Sequence, residues 1–112
     1  MLCELTDTNW REQVLESTAP ALVLFWARWS GAARQQSPIF ATVARAYEGR
    51  LRAGTMNLDV HGKVPTALGV SVLPSFAFVN RGQVVILVPG VKSAPELEQL
   101  IAAHLGLTPE TK

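Results

Sequence analysis

Apolar residues along the chain fall into two patterns, short continuous runs and stripes with helical spacing. The run Ala-Leu-Val-Leu-Phe-Trp-Ala at 21–27 predicts a strand that is covered on both faces. The stretch 32–48 predicts a long amphipathic helix, because its apolar residues recur at spacings of three and four. Pro38 inside that helix predicts a kink, and Gly49 predicts its end. The stripe consists of Ile39, Phe40, Val43, Ala44 and Tyr47.

The remaining segments predict strands and helices in alternation. A helix capped at Thr6-Asp7 ends before Pro20, and a last helix starts at a capping box formed by Ser93 and Glu96. Arg81-Gly82 predicts a tight hairpin turn. A short helix or turn is predicted over 60–68, and the other predicted strands are 2–5, 51–58, 75–80 and 83–88.

This order, βαβαβαββα, predicts an α/β fold with a central mixed sheet and helices on both faces. We expect one domain over residues 1–107 and a frayed C-terminal tail over 108–112. The 112 residues suit a single domain, and the content of 48% apolar and 17% charged residues is typical of a folded core.

Charge and hydropathy narrow the classes of partner and location. The net charge is +1 without a basic run, so we expect no nucleic-acid partner. The longest apolar run is too short to span a bilayer, and the first residues lack a basic, apolar leader. We therefore expect no membrane association, a cytoplasmic location, and a monomer or weak dimer.

Cysteine and histidine are scarce. Cys3 is the single cysteine, so an intrachain disulfide and a multi-thiolate metal site are excluded. We expect no metal and no other cofactor. Cys3 is interpreted as a small apolar strand residue, with an intermolecular disulfide or a sensor thiol as the alternative. His61 and His104 are expected on the solvated surface.

The segment 25–34 reads Phe-Trp-Ala-Arg-Trp-Ser-Gly-Ala-Ala-Arg and resembles the strand–loop–helix of thioredoxins, Phe-Trp-Ala-x-Trp-Cys-Gly-Pro-Cys-Lys. The resemblance extends over about residues 4–105 and implies a thioredoxin fold. It also implies that Pro74 is cis and faces the loop. Its further landmarks are Pro38, Asn57-Leu58-Asp59, the segment 69–75, Gly82 and Gly90.

The departures from the family pattern concern the chemistry. Thiol–disulfide exchange needs a thiolate that attacks a disulfide sulfur, and a serine hydroxyl stays neutral under the same conditions. The resemblance therefore implies no catalytic residue and no thiol–disulfide activity. The degenerate active-site positions are Ser30 and Ala33 for the two cysteines, Ala32 for the loop proline, Leu24 for a buried aspartate, Thr55 for a buried lysine, and the intervening Gly31.

Ser30 itself has two interpretations. The simpler is the N-cap of the long helix. The alternative is a hydrolase nucleophile, which needs a general base within hydrogen-bond reach, and His61 is the one candidate.

The resemblance also implies a binding surface around the loop, because thioredoxins receive an extended polypeptide there by a form of strand addition. We therefore predict a redox-inactive, polypeptide-binding adaptor or co-chaperone-like module. One alternative is a thioredoxin, a protein-disulfide reductase, whose cysteines were mutated to Ser30 and Ala33. Another is an assembly subunit with this face buried in a permanent partner. The predicted binding residues are Trp29, Ser30, Gly31, Ala32, Val72, Leu73, Pro74 and Gly90.

Overall fold

A computed structural model describes residues 2–109 and shows a five-stranded mixed sheet with strand order β1-β3-β2-β4-β5. The element order is the predicted βαβαβαββα. The elements are β1 (Cys3–Leu5), α1 (Arg11–Leu15, a π-helical turn), β2 (Ala21–Trp26), α2 (Gly31–Arg45), β3 (Arg52–Asn57), α3 (Lys63–Leu68), β4 (Ser75–Asn80), β5 (Gln83–Pro89) and α4 (Ala94–Leu105).

The sheet combines parallel and antiparallel pairing. Strand β3 lies between β1 and β2 and is parallel to both, whereas β4 is antiparallel to β2 and to β5. The β4–β5 hairpin closes through Arg81 and Gly82, whose φ angles of 54° and 76° are those of the predicted tight turn. The predicted mixed sheet is confirmed.

Helices cover both faces of the sheet. Alternate residues of β2 point to opposite sides, so each face carries apolar side chains against which helices pack. On one face, Leu22 and Leu24 pack with side chains of α2 and α4, including Phe40 and Ile101. On the other face, Val23 and Phe25 belong to a second apolar cluster. Its members from α1 and α3, and from the residue before α1, are Trp10, Val14, Leu15, Val64 and Leu68.

Two predicted helix ends differ from the structure. Helix α2 ends at Arg45 rather than near residue 48, because the chain tightens into i→i−3 hydrogen bonds at Ala46, Tyr47 and Glu48 before it reaches Gly49. The first helix, α1, begins only at Arg11 and has no side-chain cap, so the predicted cap at Thr6-Asp7 was wrong. The Thr6 hydroxyl accepts a hydrogen bond from the Asn9 N–H at 2.9 Å in the turn before the helix. The Asp7 carboxylate instead caps α3, as described below.

The two histidines lie at the surface as predicted, but they are half-buried and not fully solvated. His61 lies half-buried beside Asp7, and the ring of His104 packs 5.9 Å from the ring of Phe78. The frayed tail at 108–112 stays a prediction. Arg50 donates a hydrogen bond to the carbonyl of Thr108 at 2.8 Å, and residues 110–112 lie outside the described residues. No helix within residues 2–109 is long and apolar enough to cross a bilayer.

Candidate functional site

Strand register brings most of the predicted site residues to one edge of the sheet. Phe25, near the end of β2, pairs with Ser75 at the start of β4, and Ser75 pairs with Pro89 at the end of β5. The Gly90 N–H donates to the Pro74 carbonyl at 2.8 Å, and the Leu58 N–H donates to the Trp26 carbonyl at 2.8 Å. We call this region the loop edge. It comprises residues 27–34, 58–63, 72–74 and 90–92.

Ser30 opens helix α2 and serves as its N-cap. Its backbone is extended, with φ −95° and ψ 108°, and its Oγ accepts a hydrogen bond from the Ala33 N–H at 3.1 Å. Both residues are buried, Ser30 with 8% and Ala33 with 0% of their surface exposed. The predicted N-cap is therefore confirmed.

The hydrolase alternative finds no support in this geometry. His61 Nδ1 accepts a hydrogen bond from the Asp7 N–H at 3.4 Å and lies 4.0 Å from Asp7 Oδ2. The Ser30 hydroxyl is instead engaged with Ala33. The structure thus does not pair the hydroxyl with the imidazole that would have to act as its base.

The space beneath the loop is apolar. Leu24 is fully buried among the side chains of the α2–α4 cluster, and its register partner on β3 is Thr55. Among residues 2–109, the buried polar or charged residues are Ser30, Gln36 and Ser75. The described part of the chain therefore holds no buried carboxylate or ammonium that could move a proton below the loop.

Two of the predicted binding residues are large and exposed. Trp29 has 72% and Val72 has 48% of its surface exposed, and Gly31 and Ala32 are exposed beside Trp29. The Leu73–Pro74 peptide is cis, as the resemblance implies, and Pro74 is buried. Leu73 and Gly90 are half-buried.

The backbone N–H and carbonyl of Leu73 differ from those of the neighbouring residues in their hydrogen bonding. Val72 accepts a hydrogen bond from the Ser75 hydroxyl, and Pro74 accepts one from Gly90. Within residues 2–109, neither the N–H nor the carbonyl of Leu73 has a hydrogen-bond partner in the protein. A backbone donor and acceptor are therefore available next to the cis proline.

Polar side chains fix the turn after β3 against the loop. Asp59 Oδ2 accepts a hydrogen bond from the Arg28 N–H at 2.8 Å, and Asn57 Oδ1 accepts one from the Asp59 N–H at 2.9 Å. This explains the Asn-Leu-Asp landmark at 57–59 in structural terms. Its polar side chains hold the residues after β2 and after β3 together.

Asp7 anchors the other end of the same turn. Its carboxylate accepts hydrogen bonds from the N–H groups of Gly62, Lys63 and Val64 at 3.1, 3.2 and 2.9 Å, so it caps α3 from the far end of the sequence. These bonds, that from Val64 above all, lower the pKa of Asp7 from its ordinary value, against the opposing effect of burial.

Sequence reasoning missed three residues at or beside the loop edge. Val60 and Val91 are exposed by 70% and 47%. An isolated valine within a polar turn is a signal that could have found both. Gln36 is fully buried in α2, and its side-chain amide bonds to both the N–H and the carbonyl of Lys92 at 2.7 and 2.9 Å. Its position four residues before Phe40 places it on the helix stripe, which was the available signal.

The family model for thioredoxin matches residues 1–103. The chain belongs to the thioredoxin family. It is 32% identical over 102 residues to thioredoxin 1 of Nostoc sp., an alignment that covers 91% of this chain and 95% of that protein. It is 29% identical over 104 residues to thioredoxin of Pseudomonas aeruginosa, covering 93% and 96%, and 31% identical over 101 residues to thioredoxin 1 of Synechococcus elongatus, covering 90% and 94%.

The single cysteine of this thioredoxin-family chain lies away from the loop. Cys3 is in β1, where it pairs with Gly54, and Gly54 in turn pairs with Val23. This row is three residues from the Trp26–Asn57 row at the loop edge, or about 10 Å along the strands. Among residues 2–109, no group of three or more His, Cys, Asp or Glu side chains is arranged to hold a metal ion.

Proposed function

We propose that this protein is a redox-inactive member of the thioredoxin family that binds an extended polypeptide at the loop edge, as an adaptor or co-chaperone-like module. The proposal rests on three features that occur together at the loop edge. An exposed tryptophan, and the unpaired backbone N–H and carbonyl of Leu73, lie beside a loop that has no sulfur. The proposal takes the protein as a cytoplasmic monomer or weak dimer.

The chemical half of the proposal rests on what Ser30 and Ala33 offer. A disulfide exchange forms a mixed disulfide at one sulfur, which a second sulfur then resolves. Ser30 carries a hydroxyl that is already a helix cap, and Ala33 carries a buried methyl group. Neither residue therefore supplies the sulfur atom that its step needs.

The binding half rests on strand addition. A peptide that lies antiparallel or parallel to residues 72–74 gains main-chain hydrogen bonds from the Leu73 N–H and carbonyl. Trp29, at 72% exposure, supplies a rigid apolar anchor of the kind that dominates binding energy at interfaces. The small side chains of Ser30 and Ala32 leave room between the two.

The burial of Leu24 favours this proposal over a reductase with mutated cysteines. A substitution that was aimed at the cysteines has no reason to replace the aspartate and lysine positions of the family, which hold Leu24 and the paired Thr55. A buried aspartate without a task is costly to desolvate, so its loss follows once exchange is given up. Cysteine codons at positions 30 and 33 of the natural gene would establish the alternative.

The first experiment measures reduction of insulin by the protein in the presence of dithiothreitol. We expect the rate to equal that of the uncatalysed control, because the loop has no thiolate. The matched variant is Cys3→Ala, which removes the remaining thiol. Turnover above background that persists in Cys3→Ala would contradict the proposal.

The second experiment measures the affinity for cysteine-free, extended peptides by titration. We expect Trp29→Ala to weaken binding by roughly tenfold or more, because an exposed aromatic anchor is lost. Val85→Ala is the matched control, since Val85 is exposed by 47% but lies in the middle of β5, away from the loop edge. Equal affinities for the two variants and the unchanged protein would place the site elsewhere.

A further inference from the structure

Most of the large apolar side chains that the structure exposes lie at the loop edge. Trp29 follows β2, Val60 follows β3, Val72 precedes β4 and Val91 follows β5, and the register brings these four strand ends together. Val85, in the middle of β5, is the one other large hydrophobic residue that is prominently exposed within residues 2–109. We call the four residues the apolar patch. Exposed apolar side chains that gather at one edge offer a surface on which apolar side chains of a partner could pack.

Cationic side chains surround the apolar patch. Arg28 directly precedes Trp29, and exposed Lys63 follows Val60 by three residues. The guanidinium of Arg34 folds back over the loop, where Nη2 lies 3.8 Å from the position that a side-chain carbon on Gly31 would occupy.

Lys92, which directly follows Val91, completes the set. Its Nζ donates to the Pro89 carbonyl at 3.0 Å and lies 3.4 Å from the corresponding position at Gly90. We call Arg28, Arg34, Lys63 and Lys92 the basic rim. Two of its charges therefore lie directly over two glycines of the predicted binding surface.

The acidic groups near this edge are engaged with the backbone. Asp59 binds the Arg28 N–H, Asp7 caps α3, and Glu96 Oε1 accepts a hydrogen bond from the Ser93 N–H at 2.8 Å in the capping box of α4. Within residues 2–109, no side chain of the basic rim forms an ion pair with a carboxylate within 4.0 Å. Together with the hydrogen bond from Ser93, nearby Lys92 nevertheless helps lower the pKa of the Glu96 carboxyl. The four cations of the rim thus exceed the three neighbouring carboxylates by one charge.

We propose that the polypeptide bound at the loop edge is an extended segment whose apolar side chains are flanked by aspartate or glutamate. The inference rests on the proposed function and adds the charge of the partner. The apolar patch takes the central side chains, the Leu73 N–H and carbonyl pair with the backbone of the bound segment, and the basic rim faces the flanking carboxylates.

Two other occupants fit the surface less well. A second copy of this chain, docked through the same face, would bring two basic rims together, which is repulsive. A single nucleic-acid strand fits a cationic surface with an exposed aromatic ring, but it gains its affinity from stacking, and three of the four patch residues are aliphatic.

The experiment uses three cysteine-free peptides that share one central apolar sequence and carry acidic, neutral amide or basic flanks. Affinities are measured by fluorescence anisotropy at low and at high salt. We expect the acidic peptide to bind about tenfold more tightly than the neutral one at low salt, because several exposed charge pairs each contribute a small factor. The basic peptide binds most weakly, and the differences shrink at high salt.

A double variant, Arg34→Gln with Lys92→Gln, tests the basic rim directly. It removes two of the four cations of the rim, so it should lower the ratio of the acidic to the neutral affinity from about tenfold to about threefold. Arg81→Gln is the matched control, because Arg81 is an exposed arginine in the hairpin turn at the other end of β4, and it should leave the ratio unchanged.

Three other outcomes would contradict the charge preference, the proposed function or the identity of the partner. Equal affinities for acidic and neutral peptides, both weakened by Trp29→Ala, overturn the charge preference and leave the proposed function in place. No binding of any peptide overturns both. A single-stranded oligonucleotide that binds more tightly than the acidic peptide, or self-association in sedimentation that Trp29→Ala abolishes, overturns the assignment to an acidic polypeptide.

Discussion

Ser30 and Ala33 stand at the two sulfur positions of the family and have different tasks in this chain. The Ser30 hydroxyl satisfies the Ala33 N–H at the start of α2, and the Ala33 methyl group is buried. Because serine is among the best N-cap residues, the helix start is kept at a position where the family has a cysteine. The start of α2 thus forms without sulfur at either position.

Restoring both sulfurs should not restore a full reductase. We expect the double variant Ser30→Cys with Ala33→Cys to reduce insulin weakly at most, because Leu24 cannot take up the proton of the second thiol. The triple variant that adds Leu24→Asp is the comparison and should be faster. Rates typical of the family in the double variant would show that the position of Leu24 does not limit exchange.

At the level of residues, motif positions were predictable and contacts between distant positions were not. Ser30 as a cap and the cis Pro74 follow from local sequence and from the family pattern. That Val60 and Val91 lie at the same edge as Trp29 depends on how the strands pair, and the buried amide of Gln36 finds its partner 56 residues away. No local pattern encodes a partner at that separation.

At the level of elements, helix α3 depends on a cap from the other end of the sequence. We expect Asp7→Ala to lower the free energy of unfolding by about 1 kcal/mol, because the carboxylate accepts from three N–H groups at the start of α3. Urea denaturation measures the change. Glu12→Gln, an exposed acid in α1, is the matched control and should have little effect.

The contribution of Asp7 should also depend on pH. The folded-state pKa of Asp7 lies below its ordinary value of 3.8, so its stabilisation is complete above that value and is lost as the pH falls through the folded-state pKa. The difference in stability between the unchanged protein and Asp7→Asn should therefore shrink below about pH 4. A difference that stays constant down to about pH 2 would contradict this assignment.

Gln36 joins α2 to the segment that carries Val91 and Lys92. Replacing it with leucine removes both partners of the Lys92 backbone, so we expect Gln36→Leu to destabilise the fold by roughly 2 kcal/mol. Gln35→Leu is the control, since Gln35 is the exposed neighbour on the same helix. Equal denaturation midpoints for the two variants would show that the buried amide contributes little.

The elements themselves were largely predictable, because their patterns are local. Strand runs, the Arg81-Gly82 turn and the capping box of α4 are each encoded within a few residues. The end of α2 was not, since Gly49 does lie in the left-handed region but three tightened turns precede it. The cap of α3 escaped prediction because Asp7 lies 57 residues from Val64.

At the level of the whole molecule, a single cysteine makes stability independent of redox state. We expect the same urea midpoint with and without dithiothreitol, because no intrachain disulfide can restrict the unfolded chain. Cys3→Ala should behave identically, which controls for dimers linked through Cys3. A shift with reductant that persists in Cys3→Ala would contradict this expectation.

The overall architecture followed from the order of strands and helices, and the functional surface followed from it only in part. Alternation of strands and helices predicted two covered faces, and the two apolar clusters on either side of β2 confirm this. The apolar patch draws on four separate strand ends, so it exists only once the register of β2, β3, β4 and β5 is known.

The absence of sulfur from the loop also sets a time scale. In a thiol exchange, a partner is held by a covalent bond until the second thiol attacks, so release is a chemical step. In the proposed function, the Ser30 oxygen caps α2 and position 33 carries a methyl group, so a bound segment would be released by simple dissociation. For an affinity of about 1 μM and an association rate of roughly 10⁶ M⁻¹s⁻¹, a bound segment leaves after about one second. A surface with the proposed function would therefore sample many chains in turn instead of retaining one.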